Sequence, residues 1–457
     1  MTEAATVHQD MYTRFVSRFL FPLHERLKGH DTVHLRHALE TTQWWSPRQL
    51  AVLQLARLRE LLQSAYRYVP YYTRVMEEAG VDVASIDSLD ALSKLPLLTK
   101  GLIRANLEQL KSTRARGLIR FNTGGSSGEP LIFYIGPERI THDVAAKWRA
   151  TRWWDVDIGD PEIVLWGSPI ELNSQDRFRA IRDRLLRTTL LPAFNMSPLQ
   201  LDRFLTEIIK KRPRMLFGYP SALARVARYA GDKGVDVSRL GVRVAFVTSE
   251  CLYADQRRAI ETAFGCRVAN GYGGRDSGFL AHECPAGGMH MMAEDVIIEI
   301  VDEGGDVLSP GRAGEVVVTH LATRDFPFIR YRTGDVAVVD DRPCSCGRGL
   351  PLLREIQGRT TDFITAADGT VMHGLALIYV IRDLPGIKAF KIVQESLTLT
   401  RVLLVPEAGF DPDCVETIRG QFKSRLGEPV DIDVKQVNEI PAERSGKYRY
   451  VVSRLNT

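Results

Sequence analysis

Residues 118–136, LIRFNTGGSSGEPLIFYIG, set Thr123, Gly124, Gly125, Ser126, Ser127 and Gly128 between two runs of β-branched and aromatic character. The spacing predicts two strands joined by a glycine- and serine-rich loop. Glycines let backbone approach a ligand closely, and the hydroxyls add donors, so such a loop can surround phosphate oxygens with N–H and O–H groups. The same composition also suits the tip of a plain hairpin. No Gly-Lys-Ser/Thr ending follows, and the spacing is not GxGxxG, so neither a Walker A site nor a Rossmann turn is read here.

Working outward from the loop, residues 115–335 alternate helical segments, such as PLQLDRFLTEIIKK and ADQRRAIETAF, with strand-like runs such as EIVLWG, VRVAFVTS and DVIIEIVD. That alternation predicts a layered α/β fold with function on loops at strand ends. Before it, LAVLQLARLRELLQSAYRYV and VPYYTRVMEEAGVD read as helices. After GRTTDF the pattern restarts as GIKAFKIVQ, LTRVLLVP and VDIDVKQV around the helix CVETIRGQFKSRL. A chain of 457 residues exceeds what one core usually supports. The expected organisation is a large multi-layer α/β lobe over 1–357, helical over 1–110 and α/β over 111–357, followed by a small, mobile α+β domain over 358–457.

Hydrophobic residues make up 44% and charged residues 25%, values of an ordinary water-soluble protein. The net charge of +4 is spread through the chain, which reads as a mixed solvated surface and argues against nucleic acid as a partner. No window approaches the roughly 20 apolar residues of a membrane span, and no secretion signal is readable at the N-terminus. A cytoplasmic protein is expected. Six cysteines in so long a chain do not make a secreted disulfide framework, which turns attention to metal ligation. PCSCGR holds Cys344 and Cys346, and HECPAGGMH supplies His282, Cys284 and His290, enough soft ligands for tetrahedral zinc; burial of free thiols is the other reading.

The loop TGGSSGEP resembles the phosphate-binding signature of the adenylate-forming superfamily, which includes acyl-CoA synthetases, luciferases and peptide-synthetase adenylation domains. GYGGRDSG (271–278) is similar to its adenine loop and YRTGD (331–335) to its ribose motif. GRTTD (358–362) is similar to its inter-domain hinge and SGKYR (445–449) to its catalytic-lysine segment. VPYYTRVMEEAGVDVASIDSLDALSKLPLLTK resembles the opening of the phenylacetate–CoA ligase branch, most closely its members associated with capsule and exopolysaccharide synthesis. The resemblance implies ATP and Mg²⁺, with Thr123 through Gly128 on the phosphates, Tyr272 and Gly273 at the adenine, Asp335 on the ribose hydroxyls and Glu250 near the adenylate. Asp276 stands where the family usually has glutamate and is expected to serve Mg²⁺. Arg359 is expected to steady the hinge or a phosphate. Lys447 is expected to neutralise the charge that develops as a carboxylate attacks the α-phosphate.

Trp166, Phe217, Tyr219 and Gly274 are the expected walls of an acyl pocket, with ordinary core packing the alternative for the aromatics. Within the branch, Cys284, His290, Cys344 and Cys346 are the best four zinc ligands, forming a closed structural site. The implied activity is activation of a small-molecule carboxylic acid, then transfer to an acceptor, first of all coenzyme A. Thr361, where the hinge commonly carries an acid, opens the alternatives of a carrier-protein thiol, a sugar or an amine. A homodimer or a carrier protein stands as a further partner. Two other classes are weighed: a non-catalytic nucleotide- or acyl-binding homologue, against which Lys447 argues, and a zinc hydrolase, for which HExxH is missing.

Overall fold

The computed structural model describes residues 10–123, 131–166, 177–193, 196–359, 363–369, 371–382, 384–441 and 449–455. Its contacts gather into two compact units, the second formed mainly by residues 357–457.

The first unit is organised by one large mixed sheet. A short antiparallel pair, β1 (Ile119–Asn122) and β2 (Ile132–Ile135), stands apart from it. The large sheet begins with β3 (Glu162–Trp166), β4 (Thr188–Pro192), β5 (Met215–Gly218), β6 (Val244–Thr248) and β7 (Arg267–Gly274). It continues with β8 (Gly278–Glu283), β9 (Met289–Met291), β10 (Val296–Val301), β11 (Ala313–His320), β12 (Tyr331–Asp340) and β13 (Leu352–Arg359). The strand order is β10-β11-β12-β13-β9-β8-β7-β6-β5-β3-β4. Strands β4, β3, β5, β6 and β7 are parallel; from β7 to β8 to β9 to β13 the pairing turns antiparallel.

The parallel half is covered on both faces, as its continuous apolar runs require. Helices Pro198–Lys211, Pro220–Asp232 and Ala254–Phe264 contribute Phe204, Ile208, Leu223, Val226, Ile260 and Phe264 to a buried cluster with Ile163, Leu165, Leu216, Ala245 and Val247. The alternate strand residues Met215, Phe217, Val244 and Phe246 face a second cluster with Trp153 and Trp154. Most of these helices open on proline, whose fixed φ and missing N–H fit the first helical turn.

The N-terminal segment is helical: Met11–Phe15, a wide π turn at Val16–Leu20, and Phe21–Leu27, then Thr32–Thr42, Pro47–Tyr68 and Pro70–Glu78. The longest starts at a capping box in which Ser46 and Gln49 exchange side-chain to backbone hydrogen bonds. In the second unit, β14 (Phe363–Thr365) pairs with β15 (Val371–His373), and β16 (Ile387–Ser396), β17 (Leu399–Pro406), β18 (Asp431–Gln436) and β19 (Val451–Ser453) form a sheet ordered β18-β17-β16-β19. Helix Cys414–Leu426 buries Ile418, Phe422 and Leu426.

Candidate active site

The parallel strands end together, and several of the residues singled out from sequence lie at or just after those ends. Trp166 ends β3, Tyr219 follows β5, Glu250 follows β6, and Gly271–Gly274 end β7. In an open α/β sheet this carboxyl edge is where ligands bind.

The sharpest geometry lies in the three-residue connection between β7 and β8, where Gly274 pairs with Gly278 and Arg275, Asp276 and Ser277 form the tip. Asp276 Oδ2 accepts a hydrogen bond from Tyr331 Oη at 2.6 Å, and Oδ1 accepts from the Ser277 amide at 3.1 Å. Each carboxylate oxygen keeps a lone pair for a further donor or a hard cation. Tyr331 is fully buried, and its ring meets Phe328 edge-on at 5.1 Å. Its hydroxyl is therefore fixed in place, and through it the GYGGRDSG and YRTGD segments are joined.

The tip is held from behind by Arg139 of helix Pro137–Arg152. This buried guanidinium donates to the Asp276 carbonyl at 3.1 Å and the Arg275 carbonyl at 3.3 Å, and pairs with Asp143 at 3.2 Å. Asp143 in turn accepts from the Phe279 amide at 3.4 Å. Burial raises the Asp143 carboxyl, with Arg139 opposing it. Gly278 has φ +85°, and a Cβ there would sit 2.9–3.0 Å from His320 Nε2, Arg139 Nη2 and Asp143 Oδ1. Glycine is the residue that permits this closure. A Cβ on Gly273 would lie 2.2 Å from the Gly278 carbonyl, so the bulge between Tyr272 and Gly273 also depends on a missing side chain.

Thr123 closes the base of the β1–β2 pair: its amide donates to the Leu131 carbonyl at 3.0 Å, and its hydroxyl accepts from the Leu131 amide at 3.0 Å. Arg275 Nη1 reaches the neighbouring Asn122 carbonyl at 3.4 Å, which brings the stem of the glycine-rich loop to the Asp276 tip. Gly124, Gly125, Ser126, Ser127, Gly128 and Lys447 lie outside the described residues, and of Arg359 only the backbone, closing β13, is described. Glu250 follows Ser249, which has φ +71°, and its Oε2 accepts from the Ser221 amide at 3.2 Å, at the positive end of helix Pro220–Asp232. Asp335 lies within β12 after Gly334, which has φ +80°.

Trp166 stacks on Tyr219 at 4.4 Å and 25°, and Phe217 lies 5.7 Å from Trp166. Phe217 and Tyr219 are buried in the two clusters that flank the sheet, while Trp166 is half-buried between them. Gly274 stands at the end of β7, where a Cβ would be 2.7 Å from Asp276 Oδ1.

Cys284, His290, Cys344 and Cys346 come together although they are spread over residues 284–346: their ligand atoms all lie within 4.8 Å of one another. Cys284 Sγ is 3.7 Å from Cys344 Sγ, and His290 Nε2 is 3.1 Å from Cys346 Sγ. A tetrahedron with Zn–S bonds of about 2.3 Å has S–S edges of about 3.8 Å, so the donor set fits that ion. His290 Nδ1 lies 3.3 Å from the Leu350 carbonyl, the outer contact that orients a ligating imidazole. Burial lowers His290 to about 4, which keeps it neutral and able to ligate. Burial also raises the Cys284 thiol to about 12, a tendency that a bound dication reverses. His282 stays outside the set. It is fully buried, stacked on Phe279 at 5.2 Å and beside Phe246 at 5.6 Å, and burial lowers it to about 3.

Arg139, Asp143 and Tyr331 carry much of this geometry and were not singled out from sequence. Tyr331 opens the YRTGD motif and was within reach of that reading. Arg139 and Asp143 sit on a helix 137 residues from the loop they hold, with no local signal.

Residues 364–454 match the family model of the CapK C-terminal domain. Protein CapK of Staphylococcus aureus is 23% identical over 407 residues, covering 88% of this chain and 89% of that protein. The phenylacetate–coenzyme A ligase of Thermus thermophilus is 25% identical over 338 residues, covering 70% of this chain and 72% of that protein. Among solved structures, 2-hydroxyisobutyryl-CoA ligase in complex with R3-HIB-AMP superposes with a TM-score of 0.72 at 21% identity, over 90% of this chain and 91% of that one. The fold is that of the adenylate-forming superfamily. Within the superfamily the chain is related to CapK and the phenylacetate–coenzyme A ligases.

Proposed function

We propose that this chain is an acid ligase that converts a carboxylic acid and ATP to an acyl-adenylate and pyrophosphate, then passes the acyl group to the thiol of coenzyme A. In the first step a carboxylate oxygen bonds to the α-phosphorus as the bond to the pyrophosphate oxygen breaks. In the second, the thiolate bonds to the acyl carbon and AMP departs. The observation that carries the reading is the Tyr331–Asp276 hydrogen bond of 2.6 Å, which ties the adenine-loop and ribose-motif segments together at the carboxyl edge of the sheet.

Asp276 is the candidate for Mg²⁺, whose preference is for carboxylate and phosphate oxygen. Thr123 to Gly128, Tyr272, Gly273, Glu250 and Asp335 are the proposed nucleotide contacts, and Trp166, Phe217, Tyr219 and Gly274 the proposed acyl wall; the strand-end positions of Trp166, Tyr219, Glu250 and Tyr272–Gly274 support the reading. Lys447 and Arg359 keep the roles that the motif resemblance gives them. The Cys284–His290–Cys344–Cys346 set is proposed to hold one structural Zn²⁺, since four protein donors leave no open position for chemistry. Work in capsule or exopolysaccharide assembly, inside the cytoplasm, is the proposed setting. No helix among the described residues is long and apolar enough to cross a membrane.

Substrate-dependent exchange of labelled pyrophosphate into ATP, screened over aryl, fatty, amino and uronic acids, tests the reading. One class of acid should support exchange, and Lys447→Ala should lower it about 10²–10³-fold, the usual loss for one preorganised charge. Tight ATP binding without exchange on any acid would instead make the chain a non-catalytic nucleotide binder.

A further inference from the structure

The N-terminal helical segment over 11–27 carries an apolar row that no other element among the described residues covers. Met11, Phe15, Phe19, Leu23 and Leu27 recur every four residues, and each is more than half exposed. Opposite them, Thr13, Val16, Ser17, Phe21 and Glu25 are buried. Thr13 Oγ1 donates to Asp160 Oδ1 at 3.0 Å, and Phe21 meets Trp148 edge-on at 5.1 Å, so that face is docked on the lobe. In a regular α-helix a four-residue repeat drifts by roughly 40° per step. The π turn at Val16–Leu20 holds more residues per turn and offsets the drift, which keeps the outer row on one side over about 24 Å.

Charge is arranged along the same row. Arg14, Arg18 and Arg26 each immediately precede an apolar member, Phe15, Phe19 and Leu27, and all three are exposed. The acids nearby are already engaged: Asp10 with Arg187, and buried Glu25 with Thr32 and His30. No acidic side chain among the described residues pairs with Arg14, Arg18 or Arg26. Tyr12 Oη donates to the Leu185 carbonyl at 2.9 Å, which places the end of helix Arg177–Leu185 alongside, with Ile181, Leu185 and Arg184 exposed.

We infer that this face docks on an anionic lipid surface, the apolar row entering the headgroup boundary in plane and the arginines meeting phosphates. An amphipathic helix with aromatic and aliphatic residues on one face and arginines at its margin fits that boundary. A second copy of the chain fits less well. In a two-fold antiparallel pairing each margin meets its own copy, which sets Arg14, Arg18 and Arg26 against the same arginines without acids between them.

The test is co-sedimentation of the full chain with vesicles of phosphatidylcholine alone and of three parts phosphatidylcholine to one of phosphatidylglycerol. Binding should be at least tenfold stronger to the anionic vesicles and should weaken with added salt. Phe19→Glu/Leu27→Glu should lower it at least tenfold, and Arg14→Ser/Arg18→Ser should remove the preference for anionic lipid. Circular dichroism and pyrophosphate exchange check that these surface variants stay folded and active. Wild-type protein left in the supernatant, or Phe19→Glu/Leu27→Glu binding as wild type does, overturns the inference. So does sedimentation velocity showing a dimer that Phe19→Glu/Leu27→Glu dissociates while no lipid is bound.

Discussion

Replacing Arg139 by methionine tests how the Asp276 tip is held. The guanidinium is 1% exposed and serves three partners: the Arg275 and Asp276 carbonyls and the Asp143 carboxylate. Methionine fills much of the volume but leaves both carbonyls without their donor and Asp143 without its cation. Breaking one side of a buried ion pair costs about 3–5 kcal/mol. Asp143 keeps 24% of its side-chain surface exposed, so water relieves part of the penalty and the low end, about 3 kcal/mol, is expected. At about 2 °C per kcal/mol for a unit of this size, Tm should fall by about 6 °C. The pH dependence carries the sign. Burial already raises the Asp143 carboxyl, and losing Arg139 raises it further. An acid whose folded pKa exceeds its unfolded value destabilises increasingly as pH rises from about 3.8 toward the folded value. The variant should therefore lie closer to wild type at pH 5 than at pH 8. Arg139→Met/Asp143→Asn, which removes both charges, should recover about half the loss. Thermal unfolding at the two pH values, with pyrophosphate exchange on the same samples, reads all of this. A loss below about 1 kcal/mol, or one equal at pH 5 and pH 8, refutes the reasoning.

Tyr331→Phe should cost about 1.5–3 kcal/mol, as expected for a hydrogen bond to a charged acceptor, and should raise the Mg²⁺ concentration needed for half-maximal exchange. An unchanged Mg²⁺ requirement would separate Asp276 from the metal. Purified protein should carry one zinc per chain by elemental analysis, and Cys344→Ser/Cys346→Ser should lose it and several degrees of Tm. Exchange per folded molecule should stay near wild type, because the proposed ion is structural. His282, lowered to about 3 by burial, costs stability as pH falls from about 6.5 toward 3, with a slope of up to about 1.4 kcal/mol per unit. Among the described residues neither ring nitrogen has a partner, so His282→Leu should be tolerated at pH 7.5 and should flatten acid unfolding; a steeper acid limb would contradict this.

Local sequence determined the pieces of this fold. Helices Pro198–Lys211, Ala254–Phe264 and Cys414–Leu426 and strand Leu399–Pro406 coincide with the segments read from periodicity, because apolar spacing and proline at a helix start act within one or two turns. The carboxyl edge of the parallel strands was likewise expected to carry function, since βα alternation fixes which loops share an edge. Gly334 takes φ +80° inside β12, and since a positive φ serves a turn or an irregular strand equally well, only β12 and its neighbours chose the strand.

Tertiary structure decided which distant residues meet. His290 faces Leu352 because β9 lies between β8 and β13, and that strand order carries the loop of Cys344 and Cys346 to Cys284. Arg139 reaches Asp276, and Tyr331 meets it from β12, only once helix and sheet are stacked. No spacing within a short window encodes these contacts. They depend on sheet order and on which faces must be buried, which the chain settles as a whole.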